Sequence, residues 1–192
     1  MKKITELTEI RMRTVESKDA TGKRVRTRKE YIASRPVKSI ASGPRFGHFI
    51  IDGIVFQIVL YVVQYLFELL LSWTRFNISM SLTIGLVYAL IILLLYPLFY
   101  ALCEFKFQRT PGKYLTRTIV IDIYGNKPDL RTITLRSMVR IVPFEAFSCL
   151  GEDSGSRGWH DRWSETWVVK EDELKELKKL QAEQTEINNP VL

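Results

Sequence analysis

The sequence predicts a membrane α-helical protein: a two-span transmembrane hairpin plus an interfacial or half-inserted third helix, with a small β-like cytoplasmic element. Two apolar stretches carry this prediction, one at 46–73 and one at 81–105. The first would reach about 42 Å as a helix, whereas the hydrocarbon core of a bilayer is roughly 30 Å thick. A soluble helical core is disfavoured, because the rest of the chain has too little apolar surface to cover both helices.

Charge divides the chain into three parts. Residues 1–45 contain thirteen Lys and Arg against five Asp and Glu, whereas the segment after the second apolar stretch is nearly balanced. We therefore predict a basic cytoplasmic N-terminal arm at 1–44, a membrane domain at 45–170 and a charged cytoplasmic tail at 171–192. The tail has leucines along one side of a charged helix, and we expect it to be solvated.

The flanking charges also predict how the two spans, at about 46–72 and 81–103, are oriented. Lys and Arg flank both spans on one side, and the loop between them holds only Arg75. Because cytoplasmic loops carry the excess of Lys and Arg, both termini should be cytoplasmic in a multi-pass protein of the cell (inner) membrane. No signal peptide is expected, since a long charged arm precedes the first apolar run. Cys103 and Cys149 would then lie in a reducing compartment without a disulfide.

A dense basic cluster lies in the N-terminal arm, after a turn signal at 19–22. Beside a cytoplasmic leaflet such a cluster favours anionic lipid headgroups, at about 1 kcal/mol per basic residue. Nucleic acid is the competing partner, but membrane anchoring already explains the charge, so we expect none. Pro36 and the Gly43–Pro44 pair indicate an irregular linker at 33–44. The basic residues are Lys23, Arg24, Arg26, Arg28 and Lys29.

The first apolar stretch carries polar residues at helical spacing. Arg45, His48 and Asp52 fall at i, i+3 and i+7, which places them on one face. A charge near the centre of a membrane helix costs roughly 2.5–3.5 kcal/mol, so Asp52 needs a compensating partner or a function. A second polar seam indicates that other copies, or a membrane protein partner, supply contacts. Its members are Gln57, Tyr61, Gln64 and Glu68.

The segment at about 132–149 reads as an amphipathic helix. Arg136 and Arg140 are spaced i, i+4, and Pro143 and Glu145 interrupt its apolar pattern. This favours a helix that lies at the interface or inserts halfway, with a third span as the alternative. Short β-like runs at 118–123 and 166–169 form the predicted cytoplasmic element.

In order along the chain, these features resemble the RDD family, small bacterial membrane proteins named for one arginine and two aspartates. The match lies in P-R-F-G-H-F-I-I-D at 44–52 and G-W-H-D at 158–161, around two spans. Supporting motifs are T-P-G-K at 110–113, L-R-S-M-V-R at 135–140 and H-D-x-x-x-x-T-x-V at 160–168. The resemblance covers about residues 43–170.

The resemblance implies that Arg45, Asp52 and Asp161 are the signature residues. It also implies a role in transport, and cation–proton exchange is the activity suggested for some members. A two-span protomer does not enclose a pathway by itself, so transport would require an oligomer. The supporting site residues are His48, Gln64, Glu68, Gly112, Lys113, Arg136, Arg140, His160 and Thr166.

Two functional hypotheses stand side by side. In an oligomeric transporter or cation/proton exchanger, Asp52 would accept the proton or cation, Arg45 would tune it and gate its cytoplasmic side, and His48 could relay protons. In a non-transporting scaffold, anchor or accessory subunit, Arg45, Asp52 and Asp161 would form a structural lock between the first helix and the G-W-H-D loop.

An enzyme is the least supported class, and we expect no catalytic residues, cofactor or metal. His48 and His160 are the only histidines, and neither has the spacing of a metal site. Neither cysteine has a neighbouring histidine or a Cys-x-x-Cys partner. Gly112–Lys113 is not a phosphate-binding loop, because Phe107 stands where that motif requires a glycine.

Overall fold

The computed structural model describes residues 2–18, 24–74, 82–149 and 157–188. Within these ranges it contains two long helices, four shorter ones and two small antiparallel sheets. The turn predicted at 19–22, the loop predicted between the spans at 75–80 and most of the 151–158 loop lie outside the described residues.

Two helices are long and apolar enough to cross a membrane. They are α1, Ser42–Thr74, and α2, Leu82–Phe107, which agree with the predicted two-span hairpin. The helices meet through aromatic side chains: the Phe56 ring lies 5.2 Å from that of Tyr96 and 5.6 Å from that of Phe99, centroid to centroid. Most of their remaining apolar surface is exposed, which suits a lipid environment.

Several short elements follow α2 and build the end of the molecule that holds the site. They are α3 (Pro111–Leu115), β3 (Thr118–Ile121), α4 (Leu130–Val139) and α5 (Trp159–Trp163), and β4 (Trp167–Lys170) then pairs with β3. The register sets Ile119 opposite Val169 and Val120 opposite Val168. The predicted β-like element is therefore a two-stranded antiparallel sheet.

Both faces of this sheet are covered, which explains why all four residues of β3 are buried. Side chains alternate between the faces of a strand. Ile119, Ile121 and Val169 face one apolar cluster, and Val120 and Val168 face the other. The sheet thereby packs on one side against the cluster that includes Ile4 and Leu177 and on the other against Ile40, just before α1.

The N-terminal arm and the tail are more ordered than the sequence predicted. Strands β1, Thr8–Lys18, and β2, Arg24–Ser34, form an antiparallel hairpin in which Thr8 pairs with Ser34. The tail forms α6, Glu171–Asn188. The prediction of a solvated tail is wrong, because Leu177 is fully buried against Ile4, Leu7 and neighbouring core residues.

The segment predicted as one amphipathic helix at 132–149 is divided. Helix α4 begins after Asp129, whose side chain accepts a hydrogen bond from the Thr132 N–H at 2.9 Å, and ends at Val139. The chain then turns through 140–144, where Phe144 adopts φ +66°, before a 3-10 helix at Glu145–Cys149. Because α4 rises only about 15 Å, it is too short to be a third span.

Candidate functional site

Near the start of α1, a cluster of charged side chains connects α1 and α2 with α3, α4, the 3-10 helix and α5. We call it the polar cluster. The formal charges of its members balance, four positive against four negative, as the burial of so many charges requires. Its members are Arg45, Asp52, Glu104, Lys113, Arg136, Arg140, Glu145 and Asp161.

Arg45, in the first turn of α1, ties that helix to the C-terminal part of the chain. Its Nη1–H donates to Asp161 Oδ2 on α5. Its other donors reach Ser39 Oγ at 2.8 Å and the carbonyl oxygen of Ile40 at 3.2 Å. The guanidinium is therefore held in place by both the ion pair and the chain just before α1.

Arg136 on α4 is the centre of the polar cluster and is completely buried. Its Nε–H donates to Glu104 Oε2 at 2.7 Å, and its Nη1–H donates to Asp161 Oδ1 and to Thr166 Oγ1. One arginine thus bridges the C-terminal end of α2 to α5 and to the residue just before β4. Charge-assisted bonds of this kind are stronger than neutral ones.

Glu104, the acidic residue near the end of α2, is paired with three cations. Lys113 and Arg140 both contact its Oε1, Arg140 at 3.2 Å, while Arg136 holds Oε2. Lys113 is buried, and burial lowers its pKa to about 8 although Glu104 opposes that shift. The Glu104 carboxylate offsets the free-energy cost of burying the Lys113 ammonium group.

Asp161 is a carboxylate held between two arginines. Burial alone would raise the pKa of Asp161, but Arg136 and Arg45 outweigh it and hold that pKa well below its ordinary value. Its neighbour His160 responds in the opposite sense: burial, helped by Arg140, lowers the pKa of His160 to about 4. At neutral pH, therefore, Asp161 is charged and the His160 ring is neutral.

Asp52 differs from the other carboxylates of the polar cluster. It is 2% exposed, and its Oδ1 accepts a hydrogen bond from the Gly112 N–H at 2.8 Å. In the part of the chain that the structure describes, no Lys, Arg or His nitrogen lies within ion-pair distance of it. Arg45, the partner proposed from helical spacing, points to Asp161 instead.

A cavity of about 40 Å³ adjoins Asp52. Arg45, His48, Lys113 and His160 are among the residues that line it. His48 is itself engaged, because its Nε2 lies 2.5 Å from Thr116 Oγ1. The cavity is large enough for water or a small cation and is lined by several polar groups that could coordinate one.

The structure brings together most of the site residues that the sequence indicated. Gln64 and Glu68 do not join them, because they lie twelve and sixteen positions after Asp52, about 18–24 Å along α1. Gln64 instead donates to Glu68 Oε1 at 2.9 Å and accepts from Tyr88 Oη at 3.1 Å. The residues found together are Arg45, His48, Asp52, Gly112, Lys113, Arg136, Arg140, His160, Asp161 and Thr166.

Sequence reasoning missed Glu104, Glu145 and Cys149. Glu104 carried a signal, since it is the first charge after the second apolar stretch. Glu145 and Cys149 were read as parts of an amphipathic helix, whereas their 3-10 helix turns both toward His160. The expectation of no metal site rested on spacing along the chain, and the fold places these three residues together.

The RDD family model matches residues 41–165. The chain belongs to the RDD family. The match encloses both candidate spans and all three residues of the RDD signature, Arg45, Asp52 and Asp161. Comparisons with curated proteins and with solved structures found no match. In this RDD protein the signature divides into an Arg45–Asp161 ion pair and a separate carboxylate, Asp52.

Proposed function

We propose that this RDD protein is the protomer of an oligomeric transporter that exchanges protons for cations at Asp52. The observation that carries the proposal is the state of that carboxylate: it is buried, it lines a polar cavity, and among the described residues it has no Arg or Lys partner of the kind that Glu104 and Asp161 have. Ionisable groups inside membrane helices commonly mark ion pathways and proton relays.

The geometry around Asp52 supports alternating occupancy. Gly112 N–H holds Oδ1 at 2.8 Å and so fixes the orientation of the carboxyl group. Within the described ranges no Lys or Arg forms an ion pair with it, so a proton or a cation entering the cavity would neutralise it. Because the two neutralise the same charge, binding of one opposes binding of the other, which is the elementary requirement for exchange.

An oligomer follows from the shape of the protomer. Two spans leave most of their apolar surface exposed, for example Ile54 at 58% and Leu94 at 69%. Such a pair does not surround a pathway, so copies would have to meet around one, as closed symmetric oligomers do. A membrane protein partner could serve in place of further copies.

We further propose that the molecule sits in the cell inner membrane with both termini in the cytoplasm. The N-terminal hairpin, the β3–β4 sheet and α6 all lie on the side where α1 begins and α2 ends. The excess of Lys and Arg on that side supports a cytoplasmic placement. The basic hairpin would then face anionic lipid headgroups.

The test is cation-dependent pH change in proteoliposomes that contain the wild-type chain or Asp52→Asn. We expect flux from the wild type and none from the variant, because an amide neither gains nor loses a proton in this range. Asp172→Asn is the matched control: it removes one carboxylate from the exposed tail and should retain full flux. Thermal melting of all three proteins in detergent checks that they are equally folded.

Equal flux from Asp52→Asn would refute the exchanger. Loss of flux accompanied by a large fall in melting temperature would instead indicate that Asp52 is structural. The two readouts together therefore separate a carrier role from a folding role.

A second candidate, a non-transporting scaffold, anchor or accessory subunit, is favoured by the closed ion-pair chain from Arg45 through Asp161 and Arg136 to Glu104. Such a lock holds α1 against the cytoplasmic elements and needs no moving ion. It predicts no flux from the wild type over a panel of monovalent cations, together with a lower melting temperature for Asp52→Asn.

A further inference from the structure

Beside the carboxylate used for transport lies a second group of donor atoms. Glu145 and Cys149 on the 3-10 helix and His160 on α5 are all buried, and one ligand atom from each lies within 4.8 Å of the others. This cluster adjoins the cavity described above, whose lining includes all three residues. Asp52 is not one of the three donors.

The surroundings of His160 point to a cation at this position. Its Nδ1 contacts Glu145 Oε1, while its Nε2 lies 3.3 Å from Asp161 Oδ1. Both contacts are favourable only when each ring nitrogen carries either a proton or a metal ion. A metal ion bound by Nδ1 and Glu145 would leave Nε2–H to donate to Asp161, so that both contacts become favourable.

That second contact is characteristic of metal sites. A histidine that binds a metal through one ring nitrogen usually donates the other N–H to a carboxylate, which fixes the ring orientation. Asp161 is itself held by Arg45 and Arg136 and is well placed to do this. The outer support for a ligating histidine is therefore already in place.

Gly158 leaves the space that such a site needs. A Cβ at this position would lie 2.5 Å from Cys149 Sγ, 3.0 Å from His160 Cε1 and 3.1 Å from Glu145 Oε1. Its φ of −62° is one that any residue adopts, so the backbone does not require glycine here. Glycine is required because the three donor groups converge on its missing side chain.

We propose that Glu145, Cys149 and His160 bind a divalent transition-metal ion of the zinc type, with a fourth position open to the cavity. A thiolate, an imidazole and a carboxylate suit zinc and its neighbours, whereas magnesium and calcium prefer oxygen ligands alone. Thiolate and carboxylate together neutralise the two charges of the ion. Three protein ligands and an open position are the arrangement of reactive or exchangeable zinc sites rather than of closed structural ones.

The test uses the purified full-length chain in detergent, stripped of metal, and titrates it with Zn²⁺ and separately with Co²⁺. We expect one ion per protomer, a cobalt–thiolate absorption band and a higher melting temperature in Zn²⁺. Cys149→Ser should lose the band, and both Cys149→Ser and His160→Gln should bind Zn²⁺ at least about tenfold more weakly. Cys103→Ser, which changes the other cysteine, is the matched control and should behave as wild type.

Two results would overturn the proposal: a wild-type chain that shows no saturable binding, or a Cys149→Ser variant that binds Zn²⁺ as tightly as wild type. The metal-free melting temperature of Cys149→Ser shows whether the variant is folded, and Gly158→Ala provides an independent change that fills the site. Neither readout involves flux, so failure of the metal site and failure of the exchanger are distinguishable.

Discussion

Gly112 is the residue at which α3 comes closest to α1. A Cβ there would lie 2.8 Å from His48 Cα and 2.9 Å from the His48 carbonyl oxygen, both of them backbone atoms that cannot simply rotate away. The same approach allows the Gly112 N–H to reach Asp52. One glycine therefore sets both the packing of α3 on α1 and the position of the carboxylate.

Gly112→Ala is expected to lower the free energy of unfolding by about 1–3 kcal/mol, because the added methyl group forces α3 away from α1. The measurement is thermal or denaturant unfolding in detergent. Gly53→Ala is the control, since a Cβ at that position of α1 has no neighbour within 4 Å, and alanine favours helix. A Gly112→Ala protein as stable as Gly53→Ala would contradict the close packing.

For single residues, the sequence predicted which side chains share a helix face but not which side chains form ion pairs. Helical spacing correctly grouped Arg45, His48 and Asp52 on one side of α1, because 3.6 residues per turn is a local property. The ion partner of Arg45 is 116 residues away, and helical spacing alone indicates only that Arg45 and Asp52 share a face. Family resemblance singled out Asp161, which spacing had no means to connect with α1.

Helix α6 shows how an element with a charged composition can still be structural. Its buried Leu177 packs on the β3–β4 sheet with Ile4 and Leu7. Arg35, which follows β2, donates a hydrogen bond to Glu173 Oε1 at 2.8 Å and so holds α6 through a second contact. The sequence shows the leucines of α6 but not the surface that receives them, because that surface comes from four separated segments.

Leu177→Ala is expected to cost about 2–5 kcal/mol of stability, as truncation of a fully buried leucine usually does. Melting of the detergent-solubilised protein measures it. Leu130→Ala is the matched control: it makes the same change at a residue that is 57% exposed at the start of α4, and it should cost far less. Equal losses for the two variants would mean that α6 does not pack as described.

The two apolar stretches were predicted close to their observed positions, because length and composition alone decide whether a helix suits a bilayer. The extent of helix α4 was not, since it ends at Val139 and Pro143, four residues further on, does not fit within a continuing helix. A periodic apolar pattern continues across that break in the sequence, whereas the backbone does not. The hydrophobic period alone therefore predicts too long a helix when a local turn interrupts it.

At the scale of the whole molecule, the C-terminal half of α1 carries polar groups that a single protomer leaves in an apolar setting. Gln64, Glu68 and Tyr88 are exposed and bond only to one another among the contacts that the described residues make. In lipid such groups favour helix association, at about 0.6–2 kcal/mol each. If copies of the chain associate as proposed above, we expect them to meet at this end of the two spans.

We expect the double variant Gln64→Leu/Glu68→Leu to shift the assembly toward the 22.4 kDa monomer. Light scattering on the protein in detergent micelles, with the micelle mass subtracted, measures this. Val62→Leu changes an exposed apolar residue on the same helix and should leave the mass unchanged. A wild-type monomer that still exchanges ions would contradict the oligomeric arrangement.

The Arg45–Asp161 pair has a consequence for the timing of synthesis. Its partners are 116 residues apart, and at about 5–20 residues per second the ribosome needs roughly 6–23 s to make Asp161 after Arg45. During that interval the first span is already made while its arginine has no counter-ion. A nascent chain that stops before α5 would present that unpaired charge to the membrane's proteases. The Arg45–Asp161 ion pair would therefore also distinguish a finished chain from a truncated one.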